Sequence, residues 1–366
     1  MTGVQPAGAT GPEPHAALRT PFCELVGVRY PIVQTGMGWV AGPHLVVATA
    51  EAGGLGILAS ATMTLGELET AVGEVRRRTD RPFGVNLRTD VEDVDDRVRL
   101  MIDAGARVAS FAQAPNQALV TRCREAGLVV MATVGALRHA EKVAGWGVDA
   151  VLAQGAEGGG HTGSVPTSLL VPQVVDAVGD RVAVVAAGGY FDGRGLVAAL
   201  AYGATGIAMG TRFLLTSDSR VPDAVKAQYL ATPVTGTVVT AKVDGVPQRV
   251  VRTELVEHLE SAGWARNLPR ALVSAHAFRR QTGASLASLA REGRAMKHSS
   301  GLSWSQVVMA ANAPVMTRAA LVEGRTDVGV LPTGQVVGLV EELPSVADLI
   351  DRLVAEATAT LTRLGA

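Results

Sequence analysis

The sequence predicts an α/β chain folded as a (β/α)8 TIM barrel with an inserted, mainly helical cap, and three observations carry that prediction. From Tyr30 onward, eight short runs of β-branched and apolar residues alternate with amphipathic stretches, the pattern of repeated βα units around a parallel sheet. Glycines stand just past the ends of five of those stretches, where helices commonly stop. The rhythm breaks after the eighth run and resumes near the last residues of the sequence.

Taken in order, the expected strands are Ile32 to Thr35, Leu55 to Ala59, Phe83 to Leu87, Val108 to Phe111, Val129 to Thr133, Ala150 to Gln154, Val182 to Ala186 and Gly206 to Met209. Eight parallel strands suit a closed barrel. Between them, Pro43 to Ala52, Leu65 to Arg78, Val94 to Ala104, Asn116 to Ala126, Ala136 to Gly145, Leu169 to Val178 and Gly193 to Tyr202 read as helices, with Gly53, Gly105, Gly127, Gly147 and Gly203 as terminators. Thr237 to Arg252 then alternates around the turn dipeptide Asp244-Gly245, and Glu254 to about Ala320 looks helical. Val336 to Val340 and the amphipathic Ser345 to Leu364 return the chain to the barrel. The resulting organisation is a tail over residues 1–20, a barrel over 21–220, a cap over 221–330 and a return over 331–366. The tail is rich in Pro, Gly, Ala and Thr and lacks the charged and apolar regions of a signal peptide, so it reads as disordered.

Composition narrows the function classes. With 366 residues, 48% hydrophobic and 18% charged, the chain can bury a large core. Aromatic content of 4% against 42 glycines favours small-residue packing and close backbone approach to a ligand. A net charge of −1 argues against nucleic acid or an anionic membrane as partner, and no apolar run reaches membrane-spanning length. Cys23 and Cys123 lie far apart with no metal-ligand spacing, so neither a disulfide framework nor a metal site is expected, and a reducing cytoplasm is the natural compartment. Oligomeric state is left open, a homodimer included.

The chemistry-bearing residues fall on the loops that follow the strands. In barrels of this kind a phosphate commonly sits on the turns after the seventh and eighth strands. Those turns carry Ala187-Gly188-Gly189 and Met209-Gly210-Thr211-Arg212. Each alone reads as an ordinary tight turn; their joint position favours phosphate, because glycines let amide N–H groups close on its oxygens. The loop after the sixth strand, Gln154-Gly155-Ala156-Glu157-Gly158-Gly159-Gly160-His161-Thr162-Gly163, sets a histidine in glycine-rich backbone with no apolar partner. His161 is therefore the candidate proton-transfer group, with Gln154 available to a ligand. Asn86 and Met37, at the ends of the third and first strands, could serve a polar ring edge and a flat apolar cofactor, or be a satisfied amide and core filling.

Gly54-Leu55-Gly56-Ile57-Leu58-Ala59 matches a dinucleotide pattern by spacing, but it enters a strand rather than leaving one, which rules that reading out. No glycine loop carries the lysine of a P-loop nucleotidase. Between Arg266 and His298 the cap holds Arg266, Arg270, Arg279, Arg280, Arg291, Arg294 and Lys297 against Glu292 alone. This is either a solvated helical face or a landing site for a polyanion such as a coenzyme A thioester, with Arg279, Arg280, Arg291, Arg294 and Lys297 as substrate-binding candidates.

Pro31-Ile32-Val33-Gln34 with Met37, Ala52-Gly53-Gly54-Leu55-Gly56, Pro82-Phe83-Gly84-Val85-Asn86, Gln154 with Gly158 to His161, Ala187-Gly188-Gly189 with Asp192-Gly193-Arg194, Met209-Gly210-Thr211-Arg212-Phe213 and Gly334-Gln335-Val336-Val337-Gly338 together resemble the nitronate monooxygenase family, formerly the 2-nitropropane dioxygenases. That family is similar to the FMN-dependent enoyl-acyl-carrier-protein reductases. The resemblance implies a barrel with FMN at its mouth, the phosphate on Gly188, Gly189, Gly210 and Thr211, and Met37, Asn86 and Gln154 along the isoalloxazine. It adds Gly36, Gly159 and Gln335 to the cofactor-contacting set and makes His161 the acid/base group. The tracts Thr35 to Gly42 and Thr211 to Tyr229, with the basic cap, are most similar to an actinobacterial branch that degrades steroid C and D rings as coenzyme A thioesters.

Three functions follow from this reading. The first is hydride transfer at the α,β-carbons of a cyclic acyl-CoA, with His161 moving the partner proton and NAD(P) as redox partner. The second is oxidation of alkyl nitronates with dioxygen. The third is a non-catalytic flavin-binding module acting through its cap.

Overall fold

In the computed structural model the described residues are 13–89, 91–112, 115–261 and 304–365. A short helix α1 (Pro21–Val26) precedes strand β1 (Ile32–Gln34), and βα units follow: α2 (Pro43–Glu51), β2 (Leu55–Ala59), α3 (Leu65–Arg78), β3 (Phe83–Leu87), α4 (Val94–Asp103), β4 (Val108–Phe111), α5 (Gln117–Glu125), β5 (Val129–Val134), α6 (Leu137–Gly145) and β6 (Ala150–Gln154). A two-residue strand β7 (Gly160–His161) interrupts the next loop before α7 (Thr167–Val178), β8 (Ala183–Ala187), α8 (Gly193–Ala201) and β9 (Gly206–Met209). Of these nine strands all but β7 form one closed barrel in the order β1-β2-β3-β4-β5-β6-β8-β9. β9 pairs back onto β1 in parallel through Ile32↔Ile207 and Val33↔Ala208, so the ring is complete. The predicted strands and helices agree with these bounds to within one or two residues. The five terminating glycines all take left-handed φ values between +67° and +92°.

Alternation along each strand sorts the side chains into two cores. Val33, Leu55, Ile57, Val108, Met131, Leu152 and Val185 fill the barrel interior together with Phe22 and Val26 of α1, which closes the amino-terminal end like a plug. Phe22 is fully buried, a contribution of about 2–3 kcal/mol from hydrophobic transfer. The outward set, including Ile32, Leu58, Phe83, Val130 and Val184, packs under the helices. Continuing the inward rows toward the carboxyl-terminal end brings Asn86, Ser110, Thr133 and Gln154 into a polar layer at the mouth, consistent with the register Ile57↔Gly84, Asn86↔Ser110 and Thr133↔Leu152.

After β9 come α9 (Thr211–Leu214), α10 (Asp223–Leu230), the hairpin β10 (Thr237–Thr240) and β11 (Gln248–Val251), α11 (Glu254–Ser261) and α12 (Trp304–Leu321). The hairpin expected around Asp244-Gly245 is present, and β11 also pairs with β7, so the cap is bound to the barrel loop in a three-stranded sheet β10-β11-β7. The return segment forms a 3-10 helix, Gln335–Leu339, and α13 (Val346–Leu364), capped by Ser345 accepting from the Asp348 amide. α13 packs on α8 and α2. A Cβ on Gly193 would lie 2.4 Å from the Ala357 nitrogen, so that helix contact needs a glycine.

One expectation is corrected. The sequence assigns residues 1–20 to a disordered tail, whereas in the described part of that stretch Ala16–Leu18 forms a 3-10 helix and Leu18 is buried. The anchors are the Thr20 hydroxyl donating to the Thr205 carbonyl at 2.6 Å and the His15 amide donating to Thr358 Oγ1 at 3.2 Å. A single large apolar residue, Leu18, in a short stretch leaves no period in the sequence, and so no signal. Among the described residues no helix is long and apolar enough to cross a membrane.

Candidate active site at the barrel mouth

The two glycine turns leave neighbouring strands, since β8 and β9 pair through Ala187↔Ala208. Gly188 and Gly189 both have positive φ, +95° and +84°. A Cβ on Gly188 would stand 2.9 Å from Thr167 Oγ1 and 3.1 Å from the Gly155 carbonyl oxygen, so only glycine lets this backbone lie against the loop after β6. The amides of Gly188, Gly189, Gly210 and Thr211 donate to no backbone acceptor among the described residues, leaving their N–H groups available to a ligand. Thr211 Oγ1 accepts from the Gly334 amide at 2.9 Å, and the Gln335 amide donates to the Glu157 carbonyl at 3.0 Å.

Segment 333–335 thus bridges the β9 corner and the β6 loop. Gly159 completes that junction: its Cβ would fall 2.4 Å from the Thr333 carbonyl carbon. Glu157 is held in turn, accepting from the Thr167 amide at 2.9 Å and its hydroxyl at 2.7 Å. Gln335 and Gly159, far apart in sequence, therefore meet in space as the expectation for a shared site requires.

On the β1 side, a Cβ on Gly36 would stand 2.5 Å from Asn86 Cβ, and one on Gly210 would stand 3.3 Å from Met37 Sδ. The β1 loop consequently hugs the mouth between β3 and β9. Asn86 is 8% exposed and donates through Nδ2 to Ser110 Oγ at 3.3 Å. Gln154 donates through Nε2 to the His161 carbonyl at 2.7 Å, so its first task is to fix the histidine loop.

His161 has a partner that sequence reasoning missed. Its Nε2 lies 2.6 Å from Asp244 Oδ2, with the His161 side chain 60% exposed and the Asp244 side chain 9% exposed. Asp244 belongs to the cap hairpin, and the register Gln248↔His161 and Arg249↔Gly160 carries it there. The Thr162 amide donates to the Pro247 carbonyl at 3.2 Å, and Arg249 Nη2 donates to the Ala156 carbonyl at 2.9 Å. Burial pushes the Asp244 carboxyl up. The His161 hydrogen bond and charge, the Val246 amide and the Gln248 side chain outweigh that and hold it below the usual carboxylate value. An ionised Asp244 accepts from Nε2–H, so in the neutral form of the ring Nδ1 carries the free lone pair. The sequence showed only an Asp-Gly turn dipeptide; a chemical role was not legible there.

Burial also holds the Arg249 guanidinium below its ordinary value, opposed by the Glu157 charge. The cationic candidates Arg279, Arg280, Arg291, Arg294 and Lys297 lie outside the described residues. The structure accordingly unites His161, Gln154, Gly159, Gly188, Gly189, Thr211 and Gln335 around one loop junction, with Gly36, Met37, Asn86 and Gly210 along the adjoining rim.

The family model described as nitronate monooxygenase matches residues 19–98 and 90–356. The chain is 60% identical over 341 residues to a Mycobacterium tuberculosis protein named (3aS,4S,5R,7aS)-5-hydroxy-7a-methyl-1-oxo-octahydro-1H-indene-4-carboxyl-CoA dehydrogenase, covering 93% of this chain and 96% of that one. A Rhodococcus jostii protein of the same name is 56% identical, covering 96% and 99%. Among solved structures, FabK from Thermotoga maritima superposes with a TM-score of 0.76 at 32% identity, covering 95% of this chain and 98% of that one. Flavin dependence is a property of the family as a whole, and on the matched length and these identities the chain belongs to the nitronate monooxygenase family of oxidoreductases.

Proposed function

We propose that the protein is an FMN-dependent dehydrogenase of a cyclic acyl-CoA, with a nicotinamide cofactor as the final hydride acceptor. The single observation that carries the reading is the His161–Asp244 pair, 2.6 Å apart, set at the mouth beside two glycine corners with unengaged amides. Those corners fit a flavin phosphate: Gly188, Gly189, Gly210 and Thr211 present N–H groups at adjacent strand ends, where an added Cβ on Gly188 would collide. The polar layer of Asn86 and Gln154, with Met37 on the rim, suits a ring that is apolar on its faces and polar at its edge.

A bound FMN supplies the hydride acceptor for the substrate's β-carbon. His161 Nδ1 removes the α-proton, which the thioester acidifies, so one proton and one hydride leave as the carbon–carbon double bond forms. Asp244 fixes the ring through Nε2 and stabilises the imidazolium that results. The basic stretch with Arg279, Arg280, Arg291, Arg294 and Lys297 supplies cations for the coenzyme A phosphates, so that binding energy far from the reacting carbons places them. The names of the mycobacterial and rhodococcal relatives support a bicyclic indane carboxyl thioester as substrate.

The test is the visible spectrum of the purified protein followed by anaerobic titration. Bleaching of the flavin by the bicyclic acyl-CoA, and its recovery with NAD+ or NADP+, is the expected result. The family match supports one other reading, oxidation of alkyl nitronates. Oxygen uptake with propionate 3-nitronate, and no bleaching by the acyl-CoA, would establish that one instead.

A further inference from the structure

Trp39 is the one non-glycine residue with positive φ, +67°, among the described residues. For a bulky side chain this conformation is strained and persists only where the surroundings impose it. Two contacts impose it here. The Val40 and Ala41 amides both donate to the Met37 carbonyl, at 3.1 and 2.8 Å, closing the loop tightly. From the cap, the Arg318 guanidinium of α12 stands 5.5 Å from the centre of the indole ring. A second cost accompanies the first: the indole Nε1 is buried and has no hydrogen-bond partner among the described residues. The indole packs against the main hydrophobic core, and that packing accounts for neither the left-handed φ nor the orphaned nitrogen.

Position gives them a use. Trp39 follows Met37, whose sulfur abuts Gly210, and Gly36, which abuts Asn86, so it stands on the rim of the same mouth. It extends from β1, while His161 follows β6, and β8 and β9 separate the two in the ring. A substrate that has its reacting carbons at His161 and spans the mouth in that direction would bring its far end to Trp39. An indole offers a broad apolar face with one donor at its edge, the complement of a rigid fused carbocycle bearing a remote ketone. An alkyl nitronate has neither feature.

We propose that Trp39 is a substrate-recognition residue: its face, set by Arg318, forms the wall for the fused ring of the acyl group, and its Nε1–H donates to the ring ketone. Arg318 is then a positioning residue acting through Trp39. The proposal rests on the acyl-CoA reading above, and it makes ring recognition a joint property of the β1 loop and the cap helix.

The experiment compares the 1-oxo bicyclic acyl-CoA with its deoxo analogue, in which the ketone is a methylene, on the flavin-loaded enzyme. In the wild type the deoxo compound should show a KM about tenfold higher, the usual worth of one hydrogen bond lost from a desolvated donor. Trp39→Phe keeps the wall and removes the donor. It should raise KM for the 1-oxo compound by a similar factor, leave the deoxo KM within about twofold, and leave flavin content unchanged. Arg318→Met, which removes the cation but touches neither substrate nor flavin, should weaken the ketone preference without abolishing turnover. An undiminished ketone preference in Trp39→Phe overturns the proposal, as does a loss shared equally by both compounds together with flavin release, which would place the donor on the cofactor. Absence of wild-type turnover with the 1-oxo compound overturns the acyl-CoA reading itself, and this proposal with it.

Discussion

Replacing Asp244 by asparagine tests the site at its most exposed joint. The substitution keeps the shape and removes the charge that accepts from His161 Nε2–H across 2.6 Å. A hydrogen bond to a charged group is worth about 1.5–3 kcal/mol. The His161 side chain is 60% exposed, and solvent screening trims the upper end of that range. At about 1.4 kcal/mol per tenfold, the expected loss is roughly tenfold to a hundredfold in the rate of flavin reduction. The assay is anaerobic stopped-flow bleaching of the bound flavin by saturating acyl-CoA, which isolates the proton-transfer event from cofactor turnover. Because Asp244 touches the histidine and not the substrate pocket, KM should stay within about twofold. Stability provides an independent check of sign. Asp244 has a folded value held below the ordinary one, so its stabilisation is complete above the ordinary carboxylate value near about 4 and disappears as pH falls through the lowered folded value. The Tm gap between wild type and Asp244→Asn should therefore be present at neutral pH and shrink in acid. Undiminished bleaching by a flavin-loaded variant whose Tm matches the wild type at neutral pH would refute the reasoning.

Other expected outcomes follow from the same geometry. Gly188→Ala puts a Cβ into a φ of +95° and within 2.9 Å of Thr167 Oγ1, so flavin affinity should fall by at least about tenfold, measured as absorbance retained after gel filtration. Gly159→Ala drives a Cβ to 2.4 Å from the Thr333 carbonyl carbon and should cost about 1–3 kcal/mol in urea unfolding, with activity lost in parallel. Phe22→Ala empties the floor of the barrel and should cost about 3–5 kcal/mol while leaving the flavin spectrum of the folded fraction unchanged. His161→Ala should abolish acyl-CoA bleaching and keep the flavin bound, since the phosphate corners are untouched.

The barrel was legible because short β-branched apolar runs and glycine-stopped helices are local patterns, readable without knowing what they pack against. Gly188, Gly189, Gly210 and Thr211 were legible for a related reason, since strand order alone fixes which turns are neighbours. What escaped is non-local. Asp244 reads as the corner of a hairpin, and only the pairing of β11 with the two-residue β7 carries it to His161. Trp39 and its φ of +67° leave no trace in hydropathy. One local contact escaped as well: the Gln154 amide nitrogen donates to the His161 carbonyl, and spacing along the chain cannot orient an amide.

The ring of helices is finished by α13, which docks on α8 and α2 after the whole cap has intervened. During synthesis the apolar flanks of those two helices leave the ribosome long before their cover does. The nascent chain thus passes through an interval in which a nearly whole barrel carries an open greasy seam, a species prone to association and suited to capture by chaperones. Placing a large insertion ahead of the last helix delays the moment at which the molecule becomes safe from its neighbours.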